Sequence, residues 1–141
     1  VFAQRLTLPF RMIKCAVPLL KKSKDASIVI VNSSCAYTPF IDIGLYSCAS
    51  TALLSLSRTL SIDPSVLPIR VNSVVMSTVQ CDGSGGVWES ENGSELSRMI
   101  PIGRLGSPSD VASTVQFLLS SKSKYITGES IVVNGGTQLR L

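Results

Sequence analysis

The stretch Ser27-Ile28-Val29-Ile30-Val31-Asn32 constrains this chain more than any other. It is a short, nearly continuous β-branched run without polar alternation. A strand with one wet face alternates apolar and polar residues. A run that is apolar on both faces belongs to a parallel sheet covered by helices on both sides. Parallel strands need long crossover connections, so the flanking segments are expected to be helical and the fold α/β.

The flanks agree. Leu8 to Leu20 places Phe10, Met12, Ile13, Ala16, Val17 and Leu20 at helical spacing and is followed by Lys21 and Lys22, where cations suit the helix dipole. Pro18 should bend or end this helix. Ser33 to Leu45, with Pro39 and Gly44, reads as a loop at the carboxyl end of the strand. A second helix is expected from about Tyr46 to Leu60 on a stripe of Ala49, Ala52, Leu53, Leu56 and Leu60. After Pro64 and Pro68, Ile69 to Val75 reads as a second strand. Residues 76–100 are the least regular and are rich in Ser, Gly, Asp and Glu, with Trp88 isolated. They are expected to form a flexible excursion over one end of the sheet, either a lid or a plain solvated loop. Gly83, Gly85 and Gly86 lack the strand, spacing and lysine of a phosphate loop. Gly106 to Asp110 opens a further helix with Val111, Ala112, Val115, Phe117 and Leu118 as its apolar set. Tyr125 to Gly128 turns the chain into a closing strand, Glu129 to Val133, which stops at Asn134-Gly135-Gly136.

The expected fold over residues 1–141 is therefore a partial doubly wound, Rossmann-like parallel sheet with flanking helices. Three strands make a narrow sheet, about half the usual width, whose inner edge carries bare backbone groups. N-terminal strands are expected to be missing, supplied by an absent half, by a partner, or not at all. The start Val1-Phe2-Ala3-Gln4, without an initiator methionine, reads as though cut from a longer chain.

Composition narrows the chemistry. The chain has 141 residues, enough for one domain, and 45% of them are apolar. The net charge of +4 comes from scattered residues, and the nearest cluster, Lys21, Lys22 and Lys24, reads as a helix end. Nucleic-acid binding is not expected. There is no histidine, which removes histidine metal sites, the Ser-His-Asp arrangement and the Cys-His pair. The four cysteines, Cys15, Cys35, Cys48 and Cys81, have no zinc or redox spacing. The first three lie among apolar residues and are expected to be small buried hydrophobes in a reducing, cytoplasmic setting. Asn92-Gly93-Ser94 matches a glycosylation triplet, a pattern that arises by chance. No apolar run is long enough for a membrane span.

Ligands of open α/β sheets bind beyond the carboxyl ends of strands, where Ser33 and Ser34 stand. Tyr46 follows Ser34 by twelve residues, and a folded-back loop would bring the hydroxyls together. A serine could orient a carbonyl oxygen while a tyrosine moved its proton. An unperturbed phenol, with a pKa of about 10, suffers a handicap of about 4 kcal/mol as a base at neutral pH. A nearby cation is the usual remedy, yet one helical turn on from Tyr46 stands Ser50. The plainer reading is a tyrosine packed at a helix start with serines capping a loop.

These stretches resemble the short-chain dehydrogenase/reductase family. The match runs, in family order, through Ile28 to Ser34, Tyr46 to Leu53, Ile69 to Val74, Pro101 to Gly106, Ser109 to Ala112, Tyr125 to Gly128 and Val132 to Thr137. Its flavour is that of peroxisomal-type carbonyl and retinal reductases. The resemblance covers only the C-terminal half of the family domain, without the glycine-rich dinucleotide loop. It implies NAD or NADP as cofactor, a small carbonyl or alcohol as substrate, and a homo-oligomer or a family partner subunit.

By family position, Tyr46 is the catalytic tyrosine, Ser50 stands at the lysine and Arg5 at the asparagine. The family serine falls at Ser34 by local motif and at Ser33 by distance from the tyrosine. A one-residue deletion in the loop reconciles the two and favours Ser34. Tyr46, Met76, Ser77 and Val79 fall at cofactor-contact positions, with Met76-Ser77 replacing the usual Pro-Gly. No metal is implied. The resemblance thus points to an oxidoreductase-like chain whose catalysis is impaired, with a noncatalytic oligomerisation subunit or truncated gene product as the alternative. Arg5 could substitute for the lost lysine by reaching Tyr46. Leu139-Arg140-Leu141 resembles a peroxisomal address, the alternative to a cytoplasmic location.

Overall fold

A computed structural model describes residues 1–39, 41–80 and 91–137, and within 91–94 only the backbone. The expected residues Cys81, Gly83, Gly85, Gly86, Trp88 and Leu139-Arg140-Leu141 lie outside the described residues, as do the side chains of Asn92 and Ser94.

Three parallel strands form one sheet in the order β1-β2-β3: β1 Ser27–Ser33, β2 Arg70–Met76 and β3 Ser130–Val133. The β-branched run thus becomes β1, one residue longer than expected. Helix α1 spans Leu8–Leu20, as its periodicity predicts, and continues from a π-helical turn over Ala3–Thr7. Pro18 lies inside it, and the helix runs two residues beyond to Leu20 before the Lys21 cap. Helix α2, Gly44–Ile62, outruns the expected Tyr46–Leu60 at both ends. Helix α3, Glu91–Met99, occupies the end of the expected excursion, so regular structure reaches further into 76–100 than composition suggests.

Helix α4, Pro108–Leu119, starts on a reciprocal capping box. Asp110 N–H donates to Ser107 Oγ, and Ser107 N–H donates to the Asp110 carboxylate.

The two faces of the sheet are covered unequally. Ile30 of β1 and Val71 of β2 pack under α1 and α2 with Ile13, Leu53, Leu60, Val66 and Ile69. On the opposite face Val74 packs only with Val111 and Leu118 of α4, aided by partly buried neighbours such as Val29, Val115 and Ile131. Among the described residues β1 pairs with β2 alone, and Val31 on its α4-facing side is 45% exposed. The expected bare edge is therefore that of β1.

Three expectations about burial are corrected. Cys15 and Cys48 are exposed and Cys35 is half-buried, so they are not core hydrophobes. For Cys48 the reason is the rotation of α2, which turns Ser47, Ser50, Ser57 and Ser61 inward alongside Ala49, Leu53, Leu54 and Leu60; Cys15 lies on the side of α1 away from the buried Ile13. Small hydroxyl side chains let the helix approach the sheet closely, and Ser73 Oγ of β2 donates to Ser57 Oγ at 2.9 Å. In α4 only Val111 and Leu118 of the expected set are fully buried; Ala112 and Phe117 are exposed. In α1 only Ile13 is fully buried, and Phe10 and Met12 face solvent.

Candidate active site at the carboxyl edge of the sheet

The register gathers most of the candidate residues at one edge. Ser33, the last residue of β1, stands opposite Met76, the last residue of β2, which in turn stands opposite Val133 of β3. Ser77 extends the line, its N–H donating to Val133 O at 3.3 Å. Val79 forms a bridge with Gly106. There the backbones run so close that a Cβ on Gly106 would lie 3.1 Å from Val79 Cγ2.

Beyond β1 the chain tightens into a 3-10 turn, Ser34–Ala36, which begins with Ser34 itself. Ser33 Oγ accepts from Cys35 N–H at 3.3 Å, so Ser33 is committed to capping that turn. Ser34 is 3% exposed, and its carbonyl accepts from Tyr37 and Thr38. The turn is tied to α2 by Thr51 Oγ1, which lies 3.0 Å from both Ala36 O and Ser47 O. A second tie comes from Asn32, whose Nδ2 donates to Ser50 O at 2.8 Å while its Oδ1 accepts from Ser33 N–H. These contacts bind the Ser33-Ser34 corner to the first turns of α2, where Tyr46 sits.

Tyr46 is half-buried at the start of α2. The Arg5 guanidinium carbon lies over its ring, 4.0 Å from the centroid, a cation–π distance. Arg5, in the middle of the π-helical turn, thus lies against the ring of Tyr46. Burial pulls the Arg5 pKa down from its ordinary value, and Cys35 nearby pushes it the other way. Ser50 is 1% exposed, and its hydroxyl has no hydrogen-bond partner; the same holds for Ser47 Oγ and for Arg5 Nε.

Below the edge lies a groove of about 710 Å³ between the α4-facing side of the sheet and α4, lined by Val31, Met76, Ser77, Val79, Val115 and Leu119 among others. Among the described residues no charged side chain lines it. A smaller cavity behind Val79 is bounded by Ile100, Ile102, Arg104 and Asn134.

The family model described as enoyl-(acyl carrier protein) reductase matches residues 1–138. The chain belongs to the short-chain dehydrogenase/reductase family. Curated relatives include dehydrogenase/reductase SDR family member 4 of Sus scrofa, 39% identical over 131 residues, covering 92% of this chain and 47% of the relative. The protein of that name from Homo sapiens is 39% identical over 134 residues, 94% of this chain and 48% of the relative. Among solved structures, a glucose/ribitol dehydrogenase-type short-chain dehydrogenase/reductase from Brucella melitensis superposes with a TM-score of 0.86 at 30% identity, over 99% of this chain and 57% of that one. An NADPH-bound short-chain oxidoreductase from Pseudomonas aeruginosa PAO1, described as containing an atypical catalytic center, gives 0.82 at 31% identity, over 92% and 52%.

The chain spans about half the length of the curated relatives it matches. As a short-chain dehydrogenase/reductase it belongs to an NAD(P)-dependent oxidoreductase family, and its edge residues lie where open α/β sheets hold ligands. The sequence reading did not single out Asn32, Ser47 or the groove residues Val31, Val115 and Leu119. Asn32 had a signal, an amide inside an otherwise β-branched strand. The groove had none, because it exists only where α4 leaves part of the sheet uncovered. Among the described residues no helix is long and apolar enough to cross a membrane.

Proposed function

We propose that this chain carries the substrate-side hydroxyls of an NAD(P)-dependent carbonyl or alcohol oxidoreductase, and that its catalysis is impaired. It corresponds, on this reading, to the C-terminal part of the family domain. Tyr46 and Ser34 would bind the oxygen of a small carbonyl or alcohol, with Ser34 orienting it and Tyr46 moving its proton. Ser33 is the weaker candidate because its hydroxyl already caps the turn.

The observation that carries impairment is Ser50. One turn from Tyr46 it is fully buried, uncharged and without a hydrogen-bond partner, so α2 offers the phenol no cation. Arg5 is the cation beside Tyr46, but it lies over the ring face.

NAD or NADP, when bound, would supply or accept the hydride. The groove beside Met76, Ser77 and Val79 suits a flat ring by its apolar lining, but among the described residues it offers no cation to a diphosphate. The fit is therefore partial.

The same reading places the chain in the cytoplasm, with peroxisomal import through Leu139-Arg140-Leu141 as the alternative. A noncatalytic oligomerisation subunit is the second reading, favoured by the apolar outer side of α1, where Leu8, Met12 and Leu19 are each more than half exposed.

Titrating the chain with NADH and NADPH while following nucleotide fluorescence should give no saturable binding; saturation would overturn the partial-fit argument. In a version joined to a dinucleotide-binding half, Ser50→Lys should raise kcat by about 10²-fold. Tyr46→Phe should abolish that gain. A Ser50→Lys protein that binds nucleotide yet gains nothing would refute the role given to Ser50.

A further inference from the structure

We propose that the guanidinium of Arg5, held over Tyr46, is a receptor for a carboxylate, so that the ligand of this site is an organic acid, such as an oxo or hydroxy acid, and not an uncharged carbonyl compound. The substrate class rests on the oxidoreductase reading above; the carboxylate site itself does not.

The argument begins with what Arg5 lacks. Among the described residues the ion pairs belong to Arg70, Arg104 and Lys124, and no hydrogen bond engages the Arg5 side chain. Arg70 and Arg104, by contrast, are committed. Arg70 Nη1 donates to Leu118 O, Ser123 O and Ser123 Oγ. Arg104 grips Asp110 through both terminal nitrogens at 2.7 and 2.9 Å. Arg5 has lost part of its hydration, as the direction of its pKa shift records; Cys35 offsets this only in part, and among the described residues no carboxylate pairs with it.

Geometry then selects the partner. The Tyr46 ring holds the cation through its π face, which consumes no N–H donor. Arg5 Nε is shut off from water, whereas the terminal nitrogens are not. Two terminal N–H groups fixed side by side match the two oxygens of a carboxylate, the pairing that Arg104 already makes with Asp110.

The neighbourhood is also unsatisfied. Ser47 and Ser50, both more than nine-tenths buried on the first turns of α2, have hydroxyls without partners. Both hydroxyls are sealed from solvent by the chain yet left unpaired by it, so this end of α2 holds polar groups that its own fold does not satisfy. A carboxylate on Arg5 would place the adjoining carbon of the ligand beside Tyr46.

The test uses the whole chain, labelled with nitrogen-15, at constant ionic strength. Benzoate should shift the Arg5 Nε–H resonance saturably, and benzamide, of the same shape without the charge, should not. Arg5→Lys should weaken benzoate binding at least tenfold, and Arg5→Ala should abolish it. Arg11→Ala, on the exposed side of α1, should leave it unchanged. Equal responses to benzoate and benzamide, or benzoate binding that survives Arg5→Ala, would overturn the proposal. Inorganic phosphate binding as tightly as benzoate would overturn the carboxylate assignment. No nucleotide enters this experiment, so its failure leaves the oxidoreductase reading standing, and failure of turnover leaves the carboxylate site standing.

Discussion

Asp110 shows how much one side chain does at the start of a helix. Its carboxylate accepts from Arg104 and from the hydroxyl and N–H of Ser107. These donors, Arg104 first and Ser107 next, hold its pKa well below the usual carboxylate range. A depressed folded-state pKa means stability that is fully present above the unfolded value of about 4 and is lost as pH falls through the folded one. The difference in thermal midpoint between the chain and its Asp110→Asn variant should therefore be constant above about pH 5 and shrink steadily below about pH 4. A difference that grows on acidification would contradict the assignment. The same logic of donors and acceptors separates Ser33, whose hydroxyl is used by its own turn, from the unpartnered hydroxyls of Ser47 and Ser50.

Helix α4 is the only described helix on its face of the sheet, so its anchoring has no backup. Leu118 is fully buried against Val74, and its carbonyl accepts from Ser27 Oγ, Arg70 Nη1 and Ser123 Oγ. Truncating a buried leucine removes transfer energy and leaves a cavity, so Leu118→Ala should cost about 2–5 kcal/mol. Leu119, half-exposed on the next residue, should tolerate the same change at little cost. Urea unfolding followed by circular dichroism distinguishes them; equal midpoints would show that α4 is not held through Leu118. Helix α2 is held differently. Its serine face lets it lie close over β2, and this fixes Tyr46 relative to the strand ends.

Across the whole molecule the sheet is well covered on one side and partly bare on the other. The groove of about 710 Å³ is lined by Val31, Val115 and Leu119, and no charged side chain among the described residues lines it. An apolar surface of this kind should bind the dye ANS. Leu119→Glu should reduce the fluorescence severalfold while leaving helical content unchanged. Dye fluorescence indifferent to Leu119→Glu would place the exposed apolar surface elsewhere, for instance on the outer side of α1.

The sequence alone determined the elements whose causes are local. A β-branched run made β1, periodic apolar residues made α1, and Ser107 with Asp110 capped α4. Each of these depends on residues within a few positions of one another, so each was legible. The parallel order of the strands followed too, because the helical crossovers between them leave little choice.

Only the tertiary structure decided which way each helix faced. Cys48 points outward and serines inward because α2 is rotated to suit β2, and Cys15 points outward because α1 turns Ile13 to the sheet, choices no local pattern records. It also decided that Arg5, forty-one positions before Tyr46, lies over that ring and not along some other face of α2. Local chemistry sets what each segment becomes, and packing between distant segments sets which side chains meet.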